Sequence, residues 1–296
     1  MNQYYKGVAL VFLSALGFSL LPIFAIFAYR EDANVLTILF LRFSFAALFL
    51  FAYLALKKQT IAVSRRQLAL LFALGGVLYS AQSSLFFGSL RYIPASLTSL
   101  LLYTFPIIVA ILASIVDKEK LTRGNMLAIT FAMTGLVFVL GASPSTVDVT
   151  GILMALGAAV VYSVYLVLGT RVVRELSPTV TTAFVASFAA LSLLTAGTAG
   201  GALNFALSPT AWLAVAGIVA FATIMAMLTL FRGLELIGPT RSSILSMLEP
   251  LLTFAFSALL FGDRFTALQL AGGVAVLAGA TMVVLSRGKQ EAGEKR

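Results

Sequence analysis

The segment Ser242-Ser-Ile-Leu-Ser-Met-Leu-Glu-Pro250 repeats a pattern that the chain carries 144 residues earlier, in Thr98-Ser-Leu-Leu-Leu-Tyr-Thr-Phe-Pro106. The same offset matches further residues of the kinds that cap, kink or closely pack helices: Gly7/Gly151, Ser19/Ser163, Ser99/Ser243, Thr122/Thr266 and Gly135/Gly279. Shared Leu and Ala mean little in such an apolar chain, but shared Pro, Gly, Ser and Thr at one offset indicate an internal duplication. Duplicated apolar chains are typical of carriers.

The composition indicates a protein embedded in a membrane. Of the 296 residues, 60% are hydrophobic and 10% are charged, whereas soluble domains carry about 25% charged residues. Apolar runs of about 20 residues, the length that crosses a bilayer, recur along the whole chain. Separating them at charged or turn-rich breaks, we predict ten spans, at 6–28, 34–56, 68–89, 94–116, 123–141, 150–170, 178–199, 210–231, 239–261 and 266–286. No room remains for a soluble domain.

The missing residue types exclude several classes of chemistry. The chain contains no Cys and no His, so disulfides, thiolate nucleophiles and His-ligated metals are ruled out, together with most hydrolytic active sites. We therefore expect a protein that is not an enzyme, with no catalytic residues, no metal site and no cofactor.

The positive charges predict how the chain lies in the membrane. The net charge is +9, and with the N-terminus inside, sixteen of the 20 Lys and Arg residues fall on inner segments, against Arg30, Arg91 and Arg264 on outer loops. This asymmetry follows the positive-inside rule and predicts a multi-pass protein of the cell inner (cytoplasmic) membrane with both termini in the cytoplasm. It assigns the basic residues to lipid headgroups and argues against a nucleic-acid partner.

The odd number of spans in each half predicts an inverted repeat. Because five spans bring the chain to the opposite face, the second half enters the membrane with reversed orientation. We predict an all-α membrane protein of ten transmembrane helices, arranged as two inverted five-helix repeats around a central cavity. Its parts are a first repeat at 1–141, an extracytoplasmic linker at 142–149, a second repeat at 150–286 and a basic cytoplasmic tail at 287–296. Duplication without transport is the alternative.

The ends of the two halves carry a family resemblance. Pro94 to Pro106 is followed by Asp117-Lys-Glu-Lys-Leu-Thr122, and Glu249-Pro250 is followed by Phe261-Gly-Asp-Arg-Phe-Thr266 and a Gly-rich last span. This pattern resembles the twin EamA-type domains of the drug/metabolite transporter superfamily over nearly the whole chain, although Asp263 replaces the usual Glu and Phe105 replaces a Glu. The resemblance implies a ten-helix carrier of metabolites or drugs. The first and fourth spans are also similar to the YddG-type exporters of aromatic amino acids.

Prolines within the spans predict bends. Pro22, Pro106 and Pro250 each remove a backbone donor and free the carbonyl four residues earlier. In lipid such carbonyls are tolerated where protein or water satisfies them. We interpret these residues as kinks around a cavity and as hinges; a kink that only serves the fold is a compatible alternative.

Two charged residues lie deep in the predicted spans. Counting 1.5 Å per residue places Arg42 roughly 12 Å and Glu249 roughly 15 Å from their nearer faces. Because a lone charge at that depth costs several kcal/mol, each needs a partner inside the bundle. They form an internal ion pair, or Arg42 binds a substrate carboxylate while Glu249 takes an amine or a proton, or each is satisfied locally.

Polar and aromatic side chains predict where a substrate binds. Ser242, Ser246, Glu249, Thr253 and Ser257 share one face at helical spacing, and we expect Ser246 to contact substrate, with interhelical hydrogen bonding as the alternative. Aromatic and polar residues on other spans count to mid-membrane depth, where hydroxyls need partners and turn inward: Phe18, Tyr79, Gln82, Tyr103, Tyr162, Ser163 and Tyr165. Each tyrosine alone is more typical of packing, but together they predict an amphipathic pocket.

The functional expectation is a carrier of small molecules in the lipid bilayer. We expect an exporter of small amphipathic metabolites that works by alternating access, with aromatic or neutral amino acids as the first candidates. The alternatives are a multidrug or purine/nucleoside exporter and a non-transporting membrane scaffold. Glu249 is the single deep carboxylate, so proton antiport and facilitated diffusion both stay open, as do monomer and homodimer.

Overall fold

The computed structural model describes residues 3–59, 61–89, 92–93, 95–116, 118, 122–140, 148–201, 203–261 and 266–285. Regular structure within these ranges is helical. Most of the predicted linker, the whole predicted tail 287–296, and residues 119–121 and 262–265 of the two charged motifs lie outside the described residues.

Helices follow one another along both halves of the chain. Those of the first half are α1 (Gln3–Tyr29), α2 (Val35–Leu56), α3 (Arg65–Phe72), a π-helix π1 (Ala73–Tyr79), α4 (Ser80–Ser89), α5 (Ala95–Leu102), α6 (Phe105–Val116) and α7 (Arg123–Leu140). Those of the second half are α8 (Val149–Glu175), α9 (Pro178–Ala199), α10 (Pro209–Val219), a π-helix π2 (Ala220–Met225), α11 (Ala226–Ser246), α12 (Glu249–Phe261) and α13 (Ala267–Leu285).

Six helical stretches are long and apolar enough to cross a membrane, and shorter apolar helices accompany them. The six run over Gln3–Tyr29, Val35–Leu56, Arg65–Phe86, Val149–Glu175, Pro178–Ala199 and Pro209–Ser246. The class predicted from composition, a helical multi-pass membrane protein, is therefore confirmed. The number of ten spans stays a prediction.

Polar caps determine where several helices begin. Asn34, Ser64, Asp148, Ser177 and Ser208 have extended backbone at N-cap positions, and each side chain accepts a hydrogen bond from a backbone N–H of the first turn. A cap of this kind contributes about 1 kcal/mol. The long apolar runs are thus divided into helices by single polar residues.

The helices break at equivalent places in the two halves. Tyr103 and Thr104 form the turn between α5 and α6, and Met247 and Leu248, each 144 residues later, form the turn between α11 and α12. The prolines 106 and 250 follow as the second residue of α6 and α12. Pro22, in contrast, lies within the continuous helix α1.

The last helices of the two halves, α7 and α13, pack against each other reciprocally. A Cβ on Gly135 would lie 2.5 Å from the Gly272 carbonyl oxygen, and a Cβ on Gly279 would lie 2.6 Å from the Ala128 carbonyl oxygen. Gly279 and Gly272 are the 144-residue counterparts of Gly135 and Ala128. The earlier part of each helix thus touches the later part of the other, which is an antiparallel contact in which equivalent residues exchange roles.

Candidate substrate cavity

A central cavity of about 650 Å³ lies between helices of both halves. Its walls come from α1, α2, π1, α4, α5 and α6 of the first half and from α8, α11 and α12 of the second. Ten of the residues predicted as cavity or hinge positions line it: Phe18, Pro22, Arg42, Tyr79, Gln82, Tyr103, Tyr162, Tyr165, Glu249 and Pro250.

Ser163, Ser246 and Pro106 do not line the cavity. Ser163 is fully buried, and its Oγ donates to the carbonyl oxygens of Ala159 (2.7 Å) and Phe105 (3.2 Å), so it holds α8 against α6. Ser246 donates to its own helix, at 3.0 Å from the Ser242 carbonyl. Pro106 is buried within α6. These three residues therefore have packing contacts where the sequence led us to expect substrate or hinge contacts.

The turn at Met247 and Leu248 explains why the predicted polar stripe divides. A shared face requires one uninterrupted helical period, but α11 ends at Ser246 and α12 begins at Glu249. Glu249 and Thr253 line the cavity, whereas Ser242 and Ser246 do not. The Ser257 side chain lies outside what the structure describes.

Arg42 is held by three hydrogen bonds from two of its nitrogens. Nε donates to Thr223 Oγ1 (2.8 Å), and Nη2 donates to the Tyr79 hydroxyl and the Ala222 carbonyl (3.2 Å each). The guanidinium also lies 4.7 Å from the centre of the Phe43 ring. Nη1 has no hydrogen-bond partner among the described residues. Arg42 lines the cavity, although the residue is only 1% exposed.

Glu249 lines the same cavity without pairing with Arg42. The Tyr103 hydroxyl interacts with its carboxyl group, and among the described residues no ion pair involves either Glu249 or Arg42. The internal ion pair considered from the sequence is thus not formed. Arg42 is stabilised by its own hydrogen bonds, and the two charged residues lie on helices of different halves.

The predicted tyrosines form one continuous aromatic wall. Ring centres are 5.6 Å apart for Tyr79 and Tyr165, and 5.9 Å apart for Tyr165 and Tyr162, whose planes are stacked. Tyr162 meets Phe105 edge to face at 4.9 Å, and Phe105 lies 5.8 Å from Tyr103. The wall therefore extends from the neighbourhood of Arg42 to that of Glu249, so a flat apolar group between the two charges would contact rings.

The cavity reaches one end of the bundle and not the other. Its lining residues on α1 run from Phe18 to Tyr29, and those on α2 run from Val35 to Arg42. Tyr29, at the mouth, is 41% exposed. At the opposite end of α1, the Tyr4 hydroxyl donates to the Val283 carbonyl, and Arg241 lies 5.5 Å from the centre of the Tyr4 ring. Contacts between α1, α11 and α13 therefore close that end.

Sequence reasoning missed several residues of this site. Tyr29, Ser83, Phe86 and Ser99 also line the cavity, and Thr223 holds Arg42 from behind the wall. The sequence did contain a signal for Thr223, because this residue lies 144 residues after Tyr79, which was predicted to line the cavity. Hydroxyl residues near the span ends carry no comparable signal in the sequence.

A helical bundle with a part-polar central cavity reached from one end is the architecture of a membrane carrier. The model of the EamA-like transporter family matches residues 5–141 and, a second time, residues 149–285. The chain therefore belongs to the EamA-like transporter family. The two matched segments begin 144 residues apart, which is the offset read from the sequence.

Individual relatives agree with this assignment. The chain is 28% identical over 204 residues to the uncharacterized transporter YyaM of Bacillus subtilis (strain 168), with 67% of each chain covered. It is 28% identical over 218 residues to the uncharacterized transporter YcbK of the same strain, with 69% of each covered. A solved crystal structure at 19% identity aligns with a TM-score of 0.82 over 94% of this chain and 98% of that one, which shows a shared fold. The protein is a membrane transporter of small molecules.

Proposed function

We propose that this transporter exports neutral amino acids, aromatic ones first, by alternating access. The observation that carries the proposal is the pair of unpaired opposite charges, Arg42 and Glu249, on the wall of one aromatic-lined cavity. An aromatic amino acid has a carboxylate, an ammonium group and a flat ring. The cavity offers a complementary partner for each of the three.

The energetics of buried charge favour a zwitterion over a neutral solute. A charge within the membrane is costly unless it is paired, and Arg42 and Glu249 do not pair with each other. A substrate that brings one negative and one positive group supplies both missing partners at once. The cavity volume of about 650 Å³ lies within the roughly 300–1,000 Å³ that small-molecule sites occupy.

The transport cycle follows from the arrangement of the repeats. Reciprocal antiparallel packing of α7 and α13 supports two inverted halves, since that contact requires a two-fold axis perpendicular to the helices. The charge asymmetry supports a cytoplasmic position for both termini of a protein in the inner membrane. The Tyr29 end of the cavity is then extracytoplasmic, so the conformation fits an outward-open state of the proposed cycle. Export, rather than uptake, rests on the resemblance of the first and fourth spans to exporters.

A carrier of cationic drugs is the second candidate. One observation favours it: Glu249 is a deep carboxylate that forms no ion pair with a cation among the described residues. Among those residues it is also the one deep carboxylate at the cavity that can carry a proton in exchange for substrate. Glu249→Gln separates the candidates, because loss of cationic drugs with retained amino-acid flux favours the drug carrier.

The test is transport by purified protein in proteoliposomes. We expect labelled phenylalanine and tyrosine to move faster than through empty liposomes, and faster than a panel of cationic drugs and nucleosides. A pH gradient that raises the flux in the wild type indicates proton exchange. No flux of any amino acid above that of empty liposomes would rule out the proposed substrate class.

A further inference from the structure

Arg42 donates hydrogen bonds to two residues that occupy equivalent positions in the two repeats. Tyr79 and Thr223 are 144 residues apart, and each accepts a hydrogen bond from a different nitrogen of the guanidinium. Arg42 itself belongs to the first half, and its counterpart in the second half is Ala186. Arg42 therefore links the two halves through positions 79 and 223, which are equivalent in the two repeats, although Arg42 itself has no charged counterpart.

Both acceptor residues belong to π-helices. Tyr79 is the last residue of π1, and Thr223 lies within π2. With the offset of 144 residues, positions 76–79 of π1 correspond to positions 220–223 of π2. A π-helical turn inside an α-helix is rare overall, but those that occur are often found at functional sites. Such a turn widens the helix backbone and redirects side chains.

The wide turn of π2 prepares Thr223 to accept a hydrogen bond. Its hydroxyl donates to the carbonyl of Ile218, five residues earlier, at 2.9 Å. With its one proton used in this way, Oγ1 presents lone pairs to the Nε–H of Arg42. The neighbouring Ala222 carbonyl accepts from Nη2. The backbone and side chain of π2 together fix the guanidinium at Nε and at Nη2, and Arg42 lines the cavity.

We propose that Thr223 is a positioning residue that aims Arg42 at the carboxylate of the substrate. The inference rests on the proposed function, because it presumes that Arg42 binds an anionic group. Thr223 is fully buried and does not line the cavity, so it acts on the substrate through Arg42 alone. Tyr79, the equivalent residue, lines the cavity and contacts both Arg42 and the aromatic wall.

The decisive comparison is Thr223→Val against Thr223→Ser. Valine keeps the volume but removes both hydrogen bonds of the side chain, whereas serine keeps the hydroxyl. Because a buried hydrogen bond to a charged group is strong, we expect Thr223→Val to raise the KM for phenylalanine about tenfold or more. We expect Thr223→Ser to restore a KM within about twofold of the wild type. The maximal rate should change little, since the helices that move are intact.

A second readout needs no transport. 3-Phenylpropionate, which has the carboxylate but no amine, should raise the thermal unfolding midpoint of the purified wild type and of Thr223→Ser. It should have no such effect on Thr223→Val. Phenethylamine, which lacks the carboxylate, serves as the control ligand, and any shift that it causes should be the same in the three proteins.

The outcomes separate this inference from the proposed function. Absence of amino-acid flux in the wild type, with 3-phenylpropionate stabilisation that depends on Thr223, overturns the substrate class and keeps the positioning role. Normal flux with an unchanged KM in Thr223→Val overturns the positioning role alone. An equal rise of the KM for phenylalanine in Thr223→Val and Thr223→Ser would show that Thr223 only packs the helices. The same would follow if Thr223→Val lost the stabilisation by phenethylamine as well as that by 3-phenylpropionate.

Discussion

The turn between α5 and α6 and the turn between α11 and α12 occupy equivalent positions, yet they present different side chains to the cavity. The first turn contributes Tyr103 and is followed by Phe105, whereas the second has Met247 at the matching place and is followed by Glu249. Both are followed by a proline. The repeats thus share the residues that shape the backbone and differ in the residues that supply chemistry.

This difference indicates how a duplicated chain acquires an asymmetric site. Backbone features are kept in both copies, including the π-helices, the broken helices and the reciprocal glycines of α7 and α13. The positive charge comes from the first copy, through Arg42, and the negative charge from the second, through Glu249. A zwitterion bound between Arg42 and Glu249, as proposed, would contact both halves.

The largest expected effect comes from removing the positive charge. Arg42→Gln should reduce the phenylalanine transport efficiency at least about 30-fold, since loss of one partner of a buried charge pair costs about 2–5 kcal/mol. Stability should fall by about 1–3 kcal/mol, because the buried Thr223 hydroxyl and Ala222 carbonyl lose their donor. Liposome flux and the thermal unfolding midpoint measure the two effects. Flux near that of the wild type would show that the first repeat contributes no charged partner for the substrate.

Much of this asymmetry was readable from the sequence, because deep charges and prolines stand out in an apolar chain. Arg42, Glu249 and the tyrosines were all identified in that way, and they meet at one cavity. Ser246 was misplaced, because the prediction extended one helical period through a turn. Thr223 was missed although it lies 144 residues after Tyr79, because its role depends on a π-helix that no simple periodicity in the sequence marks. The sequence also left open whether Arg42 and Glu249 pair, since depth along a helix does not determine rotation about it.

The two helix breaks provide the next comparison. Tyr103→Phe removes the hydroxyl that interacts with Glu249, and its matched control, Met247→Leu, alters the equivalent position of the other repeat. We expect the first change to raise the KM for phenylalanine about tenfold, because the cavity loses a polar group beside Glu249. The control should stay within about twofold. Similar KM values for the two variants would contradict a division of chemistry between the repeats.

Glycine variants test a structural feature that the two repeats share, the reciprocal packing of α7 and α13. Gly135→Ala and Gly279→Ala each place a Cβ within 2.6 Å of a backbone oxygen on the partner helix. Each should lower the free energy of unfolding by about 1–3 kcal/mol, the usual cost of overpacking, and by similar amounts. Gly157→Ala is the control, because its Cβ would meet Leu85 at 3.5 Å, an ordinary contact. A large inequality between the first two variants would argue against reciprocal packing.

The smallest effects are expected for Ser246 and Ser163, which the sequence predicted at the cavity but which do not line it. Ser246→Ala and Ser163→Ala remove hydroxyls that bond to backbone carbonyls away from the cavity. Because such bonds in membranes contribute about 0.6 kcal/mol on average, both variants should transport phenylalanine with a KM within about twofold of the wild type. A tenfold rise for Ser246→Ala would restore that residue to the substrate site.

Arg42 and Glu249 do not pair with each other, and we propose that one substrate pairs with both. Competition against labelled phenylalanine in proteoliposomes tests this proposal, with phenethylamine and 3-phenylpropionate as ligands that each lack one charge. Either ligand should inhibit at least about tenfold more weakly than unlabelled phenylalanine, because one buried charge is left without its partner. Inhibition by phenethylamine as strong as that by phenylalanine would rule the proposal out, since Arg42 would then have no role in binding the substrate.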